Sequence, residues 1–120
     1  MNIVVLTSSR ADYGIYLPLL KKIKKDKFFS LKIVAFGTHL SKQHGETINQ
    51  IYRDGFDVAY KIKTLVNGDD SAAVAKSMAL AINQFSALWN NERKKIDLIM
   101  CLGDRYEMFA AVTASVPYNI

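Results

Sequence analysis

Polar and apolar positions change rhythm several times along this chain, and the changes mark its elements. Ile3-Val4-Val5-Leu6 is a continuous apolar run rich in β-branched residues, the pattern of a parallel strand covered on both faces. It stops at Thr7-Ser8-Ser9. Ile15, Tyr16, Leu19, Leu20 and Ile23 then recur at helical spacing, with Asp12 placed to cap the start. In a helix beginning right after Asp12, Pro18 would lie beyond the first turn and remove a hydrogen bond, so the pattern predicts a late start or a kink.

Residues 31–36 read as a second strand, followed by the loop Gly37-Thr38-His39-Leu40-Ser41, and the polar segment 45–54 reads as a weaker helix. Residues 56–62 form a third strand, ended by the turn and capping residues of 66–71. Between 71 and 94, Val74, Met78, Ala81, Ile82, Phe85, Leu88 and Trp89 advance by threes and fours, which predicts a long helix lying on a sheet. Residues 97–102 are a fourth strand, Gly103-Asp104-Arg105-Tyr106-Glu107 a turn, 108–115 an apolar helix, and 116–120 the start of a fifth strand. Alternating strands and helices imply right-handed crossovers and an α/β fold, a Rossmann-like doubly wound parallel sheet. Ligands then belong outside the carboxyl ends of the strands, where the turns at 7–12 and 103–107 fall.

At 120 residues the chain is sized for one domain, taken as 1–120, and is too short for two. The net charge of +5 raises the question of nucleic acid, but Lys21, Lys22, Lys24, Lys25 and Lys27 cluster at the end of a helix, where they suit its dipole. No nucleic-acid motif or interleaved aromatic platform accompanies them, so no nucleic-acid partner is expected. Cys101 is the only cysteine, which excludes an intramolecular disulfide framework and a thiolate zinc site and fits a reducing compartment. Met1 leads straight into the first strand with no basic leader, and no run approaches the roughly 18 apolar residues of a membrane span. A cytoplasmic protein without a membrane partner is expected.

Two turns carry candidate chemistry. Gly103 to Glu107 packs two carboxylates, a guanidinium and a phenol where a strand meets a helix. Such a helix start favours anions, and arginine can hold a phosphate through two bonds. The alternative is that Asp104 merely caps the helix. Ser8-Ser9-Arg10-Ala11-Asp12-Tyr13 follows the first strand, with Arg10 placed for a diphosphate and small residues that let a ligand approach the backbone. Neither GxGxxG nor GxxxxGK[ST] occurs, which disfavours a dinucleotide site and a P-loop ATPase. For His39 both a substrate contact and a loop-ordering hydrogen bond are open, while His44 reads as a surface residue. Their spacing is not that of a helical zinc pair, so no metal site is expected.

Taken together, Ser9-Arg10-Ala11-Asp12-Tyr13, Leu17-Pro18-Leu19, Gly37-Thr38-His39-Leu40 and Gly103-Asp104-Arg105-Tyr106-Glu107 resemble the hydrolysing UDP-N-acetylglucosamine 2-epimerases of bacterial sialic acid and related nonulosonic acid synthesis. The resemblance runs along the whole chain in order. It implies the N-terminal domain of a two-domain glycosyltransferase-B-type fold, with further catalytic groups beyond Ile120, no metal or redox cofactor, and a homo-oligomer at full length. It implies elimination of UDP from UDP-N-acetylglucosamine, then hydration to N-acetylmannosamine. It implies Asp104 and Glu107 as catalytic residues, and Arg10, Ala11, Asp12, Tyr13, His39 and Arg105 as substrate-binding. Other readings are an epimerase for UDP-N,N′-diacetylbacillosamine, a glycosyltransferase domain of the same architecture, and a stand-alone flavodoxin-like module.

Overall fold

A computed structural model describes all 120 residues. Four parallel strands, β1 (Asn2–Thr7), β2 (Ser30–Phe36), β3 (Tyr60–Ile62) and β4 (Leu98–Met100), form one sheet in the order β3-β2-β1-β4. Helices α1 (Arg10–Lys25), α2 (Ile48–Arg53), α3 (Ser71–Glu92) and α4 (Tyr106–Thr113) complete the chain with short 3-10 turns. The predicted α/β doubly wound architecture is present.

The apolar run of β1 is explained by its place: it is central, hydrogen-bonded to β2 and β4, and its alternate residues feed two cores. Ile3 and Val5 pack with Tyr13, Tyr16 and Leu20 of α1 and Ile48 and Ile51 of α2. Val4 and Leu6 pack with Phe85 and Trp89 of α3 and Met108 and Ala111 of α4. The connections from β1 to β2 to β3 thus lie on one face, while that from β3 to β4 crosses to the other. A right-handed chain can do this only by reversing its direction of travel, and it reverses between β1 and β4.

Several element bounds differ from the sequence expectation. The helix after β1 starts at Arg10, with Ser9 as its N-cap and Asp12 as the reciprocating third residue, so the cap is Ser9 rather than Asp12. Instead of starting late, α1 runs on through Pro18 to Lys25. Pro18 and Gly14 are both exposed, so the carbonyl of Gly14 that proline cannot satisfy faces water. Ile15 is 69% exposed, and Tyr13 enters the core instead. In place of a nascent fifth strand, residues Val116–Tyr118 form a 3-10 turn with Pro117 at its start. Asn119 follows in the left-handed region at φ 54°, and the Tyr118 hydroxyl lies 2.7 Å from Ser86 Oγ on α3. The third strand pairs only over Tyr60–Ile62, because Phe56 turns into the core below α2.

Candidate functional site

Both candidate turns leave the carboxyl edge of the sheet from directly hydrogen-bonded strands, with Ile3, Val4 and Val5 opposite Leu98, Ile99 and Met100. They meet in a hollow of about 150 Å³ lined by Ser9, Ala11, Asp12, Ile15, Gly103 and Asp104. Beside it a wider cleft of about 790 Å³ runs over the ends of β2 and β3, bounded by Thr38, Lys42, Lys63, Arg105 and Glu107 among others. Cations outnumber carboxylates along this wall.

The β1–α1 turn is organised by one buried carboxylate. Asp12 Oδ2 accepts from the backbone N–H groups of Ser8 and Ser9 at 3.0 and 3.1 Å and from their hydroxyls at 2.8 and 3.2 Å, while Oδ1 accepts from Thr7 Oγ1. The backbone is therefore fixed immediately before Arg10, which is exposed, begins α1 and enters none of the ion pairs. Its guanidinium stands at the positive end of a helix.

His39 is fully buried at the end of β2. Its Nε2 lies 2.8 Å from Thr7 Oγ1 and its Nδ1 2.8 Å from Thr47 Oγ1, and burial pushes the imidazole below its ordinary pKa despite nearby Asp12. Tyr13 meets the ring edge-on at 6.3 Å and donates its hydroxyl to Asp54 at 2.9 Å. Burial, then Asp54, raises the Tyr13 phenol. The two β-strand ends are also stitched directly, since Thr38 donates to the Ser8 carbonyl through both its N–H and its hydroxyl.

In the second turn Asp104 is exposed and has no hydrogen-bond partner. The N-cap of α4 is Arg105, so Asp104 does not cap the helix. Glu107 is buried, and both its oxygens hold Arg105: Oε1 is 2.8 Å from Nη2 and Oε2 is 3.1 Å from Nε. That bidentate pair raises the Arg105 pKa further and aims the guanidinium along the cleft wall.

The sequence-predicted residues thus divide. Arg10, Ala11, Asp104 and Arg105 are exposed at the shared edge. Asp12, Tyr13, His39 and Glu107 turn inward, with side-chain polar atoms bonded to neighbours, which for His39 is the loop-ordering hydrogen bond left open from sequence. Thr7, Thr47 and Asp54 were not singled out from sequence. The Ser9-x-x-Asp12 spacing was the available signal for the turn, whereas the Thr47 and Asp54 contacts join segments far apart in the chain and have no local signature.

The family model described as UDP-N-acetylglucosamine 2-epimerase matches residues 21–120. The chain is 36% identical over 119 residues to the GDP/UDP-N,N′-diacetylbacillosamine 2-epimerase (hydrolyzing) of Campylobacter jejuni, covering 99% of this chain and 30% of that protein. It is 28% identical over 109 residues to the UDP-N-acetylglucosamine 2-epimerase of Neisseria meningitidis, covering 91% and 28%. A crystal structure of UDP-N-acetylglucosamine 2-epimerase superposes with a TM-score of 0.81 at 15% identity, over 100% of this chain and 31% of that one. The Neisseria meningitidis enzyme bound to UDP-GlcNAc superposes with a TM-score of 0.76 at 16% identity, over 96% and 29%. The fold is therefore that of these solved structures, and the chain spans about 30% of the length of the curated relatives it matches.

Proposed function

Since the chain belongs to the UDP-N-acetylglucosamine 2-epimerase family, we propose that the whole protein is a hydrolysing epimerase of a UDP-linked 2-acetamido sugar, and that these residues supply its β1–β4 wall. The reaction begins with loss of the C2 proton and departure of UDP from C1, which leaves a 2-acetamidoglucal. Water then adds across that double bond to give the 2-epimeric free sugar. Such chemistry needs a carboxylate at the sugar and cations at the departing diphosphate. The observation that carries the reading is Asp104, an exposed carboxylate without a hydrogen-bond partner at the switch point, next to an arginine that Glu107 holds in place. In this proposal Asp104 handles a proton at the sugar, and Arg10 and Arg105 face the phosphates. Ala11 lets the nucleotide approach the α1 start.

UDP-N-acetylglucosamine is the first substrate to consider, with N-acetylmannosamine as product. UDP-N,N′-diacetylbacillosamine is the second, favoured by relatives at 36% and 31% identity that carry this activity in their names. Assay of UDP release by the full-length protein from each sugar nucleotide separates the two. In the same assay Asp104→Asn should lose about a hundredfold to ten-thousandfold in rate while keeping UDP affinity and stability. Near-parental turnover by this variant would defeat the assignment. Arg10→Ala supplies the contrast, because it should weaken UDP binding itself.

A further inference from the structure

Hydroxyl protons settle the state of His39. A carboxylate only accepts, so the single proton of Thr7 Oγ1 goes to Asp12 Oδ1. Thr7 Oγ1 therefore has only lone pairs to offer His39 Nε2, 2.8 Å away, and Nε2 must carry a proton. Nδ1 of the neutral ring is then bare and accepts from the Thr47 hydroxyl, also at 2.8 Å. Thr47 occupies the N-cap position of α2, yet its side chain makes no capping bond and serves the imidazole instead. A second tie joins the far end of the same helix to α1, where the Tyr13 hydroxyl donates to Asp54, the C-cap of α2.

From this geometry we propose that His39 is a positioning residue for the β1–α1 turn: an imidazole protonated on Nε2 that locks Thr7 and Asp12, and with them the backbone presenting Arg10, to the start of α2. The order of donors runs one way, from Thr47 to His39 to Thr7 to Asp12, and ends on the carboxylate that gathers the Ser8 and Ser9 N–H groups. The members of this chain are bonded to one another, and in this proposal their effect on function passes through Arg10. The consequence for UDP rests on the function proposed above, whereas the tautomer and the effect on the turn do not.

The test uses the full chain with two replacements. The amide nitrogen of Gln reaches the place of Nε2, whereas that of Asn reaches only that of Nδ1. With His39→Asn, the backbone amide resonances of Ser8, Ser9 and Arg10 should move and UDP affinity should fall about five- to tenfold, the equivalent of one lost hydrogen bond. KM should rise more than kcat falls, since the damage is to binding. His39→Gln should recover most of both effects. Nitrogen NMR of the parent imidazole at neutral pH should find Nε2 protonated and Nδ1 bare. The opposite tautomer, or an Asn variant whose Ser8–Arg10 resonances stay in place, overturns the proposal. A parent that binds no UDP while showing the expected tautomer and resonance shifts would sink the nucleotide reading alone and leave the positioning role standing.

Discussion

Replacing Asp12 by alanine asks how much of the candidate site depends on one buried carboxylate. The change leaves the N–H groups of Ser8 and Ser9 without their acceptor, in residues that are 0% and 7% exposed. The hydroxyls of Thr7, Ser8 and Ser9 can rotate to other partners, but the two amides cannot. Each orphaned buried N–H costs about 1–3 kcal/mol. Water admitted beside Ser9 should hold the sum to the lower part of that range, about 2–4 kcal/mol. Against a total stability of about 5–15 kcal/mol the variant still folds, so urea denaturation of the full chain can measure the difference. UDP affinity, measured on the folded variant, should fall as well because the turn before Arg10 is no longer fixed. A loss below about 1 kcal/mol would refute the reasoning. Weakened UDP binding at unchanged stability would instead mark Asp12 as a direct ligand contact.

Two further predictions rest on the same region. Gly37 has φ +58°, and a Cβ there would lie 2.8 Å from the Ser8 carbonyl oxygen, so Gly37→Ala should destabilise by about 2 kcal/mol or more in urea denaturation, and a loss under about 0.5 kcal/mol would contradict it. His39 titrates lower in the folded chain than its ordinary 6.5, so the unfolded chain binds its proton first: the contribution is complete above that value and is lost as pH falls through the folded value. Melting temperature should therefore drop between pH 7 and pH 5 (~2 units spanning the ordinary imidazole range), and the drop should shrink in His39→Gln; an equal slope in both would place the acid sensitivity elsewhere.

Much of the fold is legible in the sequence because its strands are buried on both faces and its longest helix keeps a regular apolar stripe. Residues 3–6 and the Phe85–Trp89 stretch could hardly be read otherwise. Errors gathered where local signals competed. Ser9 and Asp12 are both good caps, and only their reciprocal bonding in the structure shows which one takes the N-cap position. Residues 116–120 are apolar enough for a strand, but Pro117 opens a 3-10 turn there and Tyr118 is drawn to α3. At the site, exposed Arg10 and Asp104 stand at the edge where their turns predicted. The inward rotation of Tyr13 and His39 was not readable, since Asp54 and Thr47 reach them only once α2 docks, whereas Glu107 finds its partner Arg105 two residues away and is buried as α4 packs.

The central place of β1 has a consequence for how this site can change. Its backbone is bonded on both edges and its side chains are anchored in both cores, so its amides should be among the last to exchange with solvent. The turn that presents Arg10 continues from that strand without a hinge. Local breathing that leaves β1 and the Asp12 hydrogen bonds intact therefore leaves the backbone at Arg10 in place. A sequence adapting to a different sugar nucleotide would find little freedom in this backbone and would have to work by exchanging outward-facing side chains around it, on a scaffold that stays still.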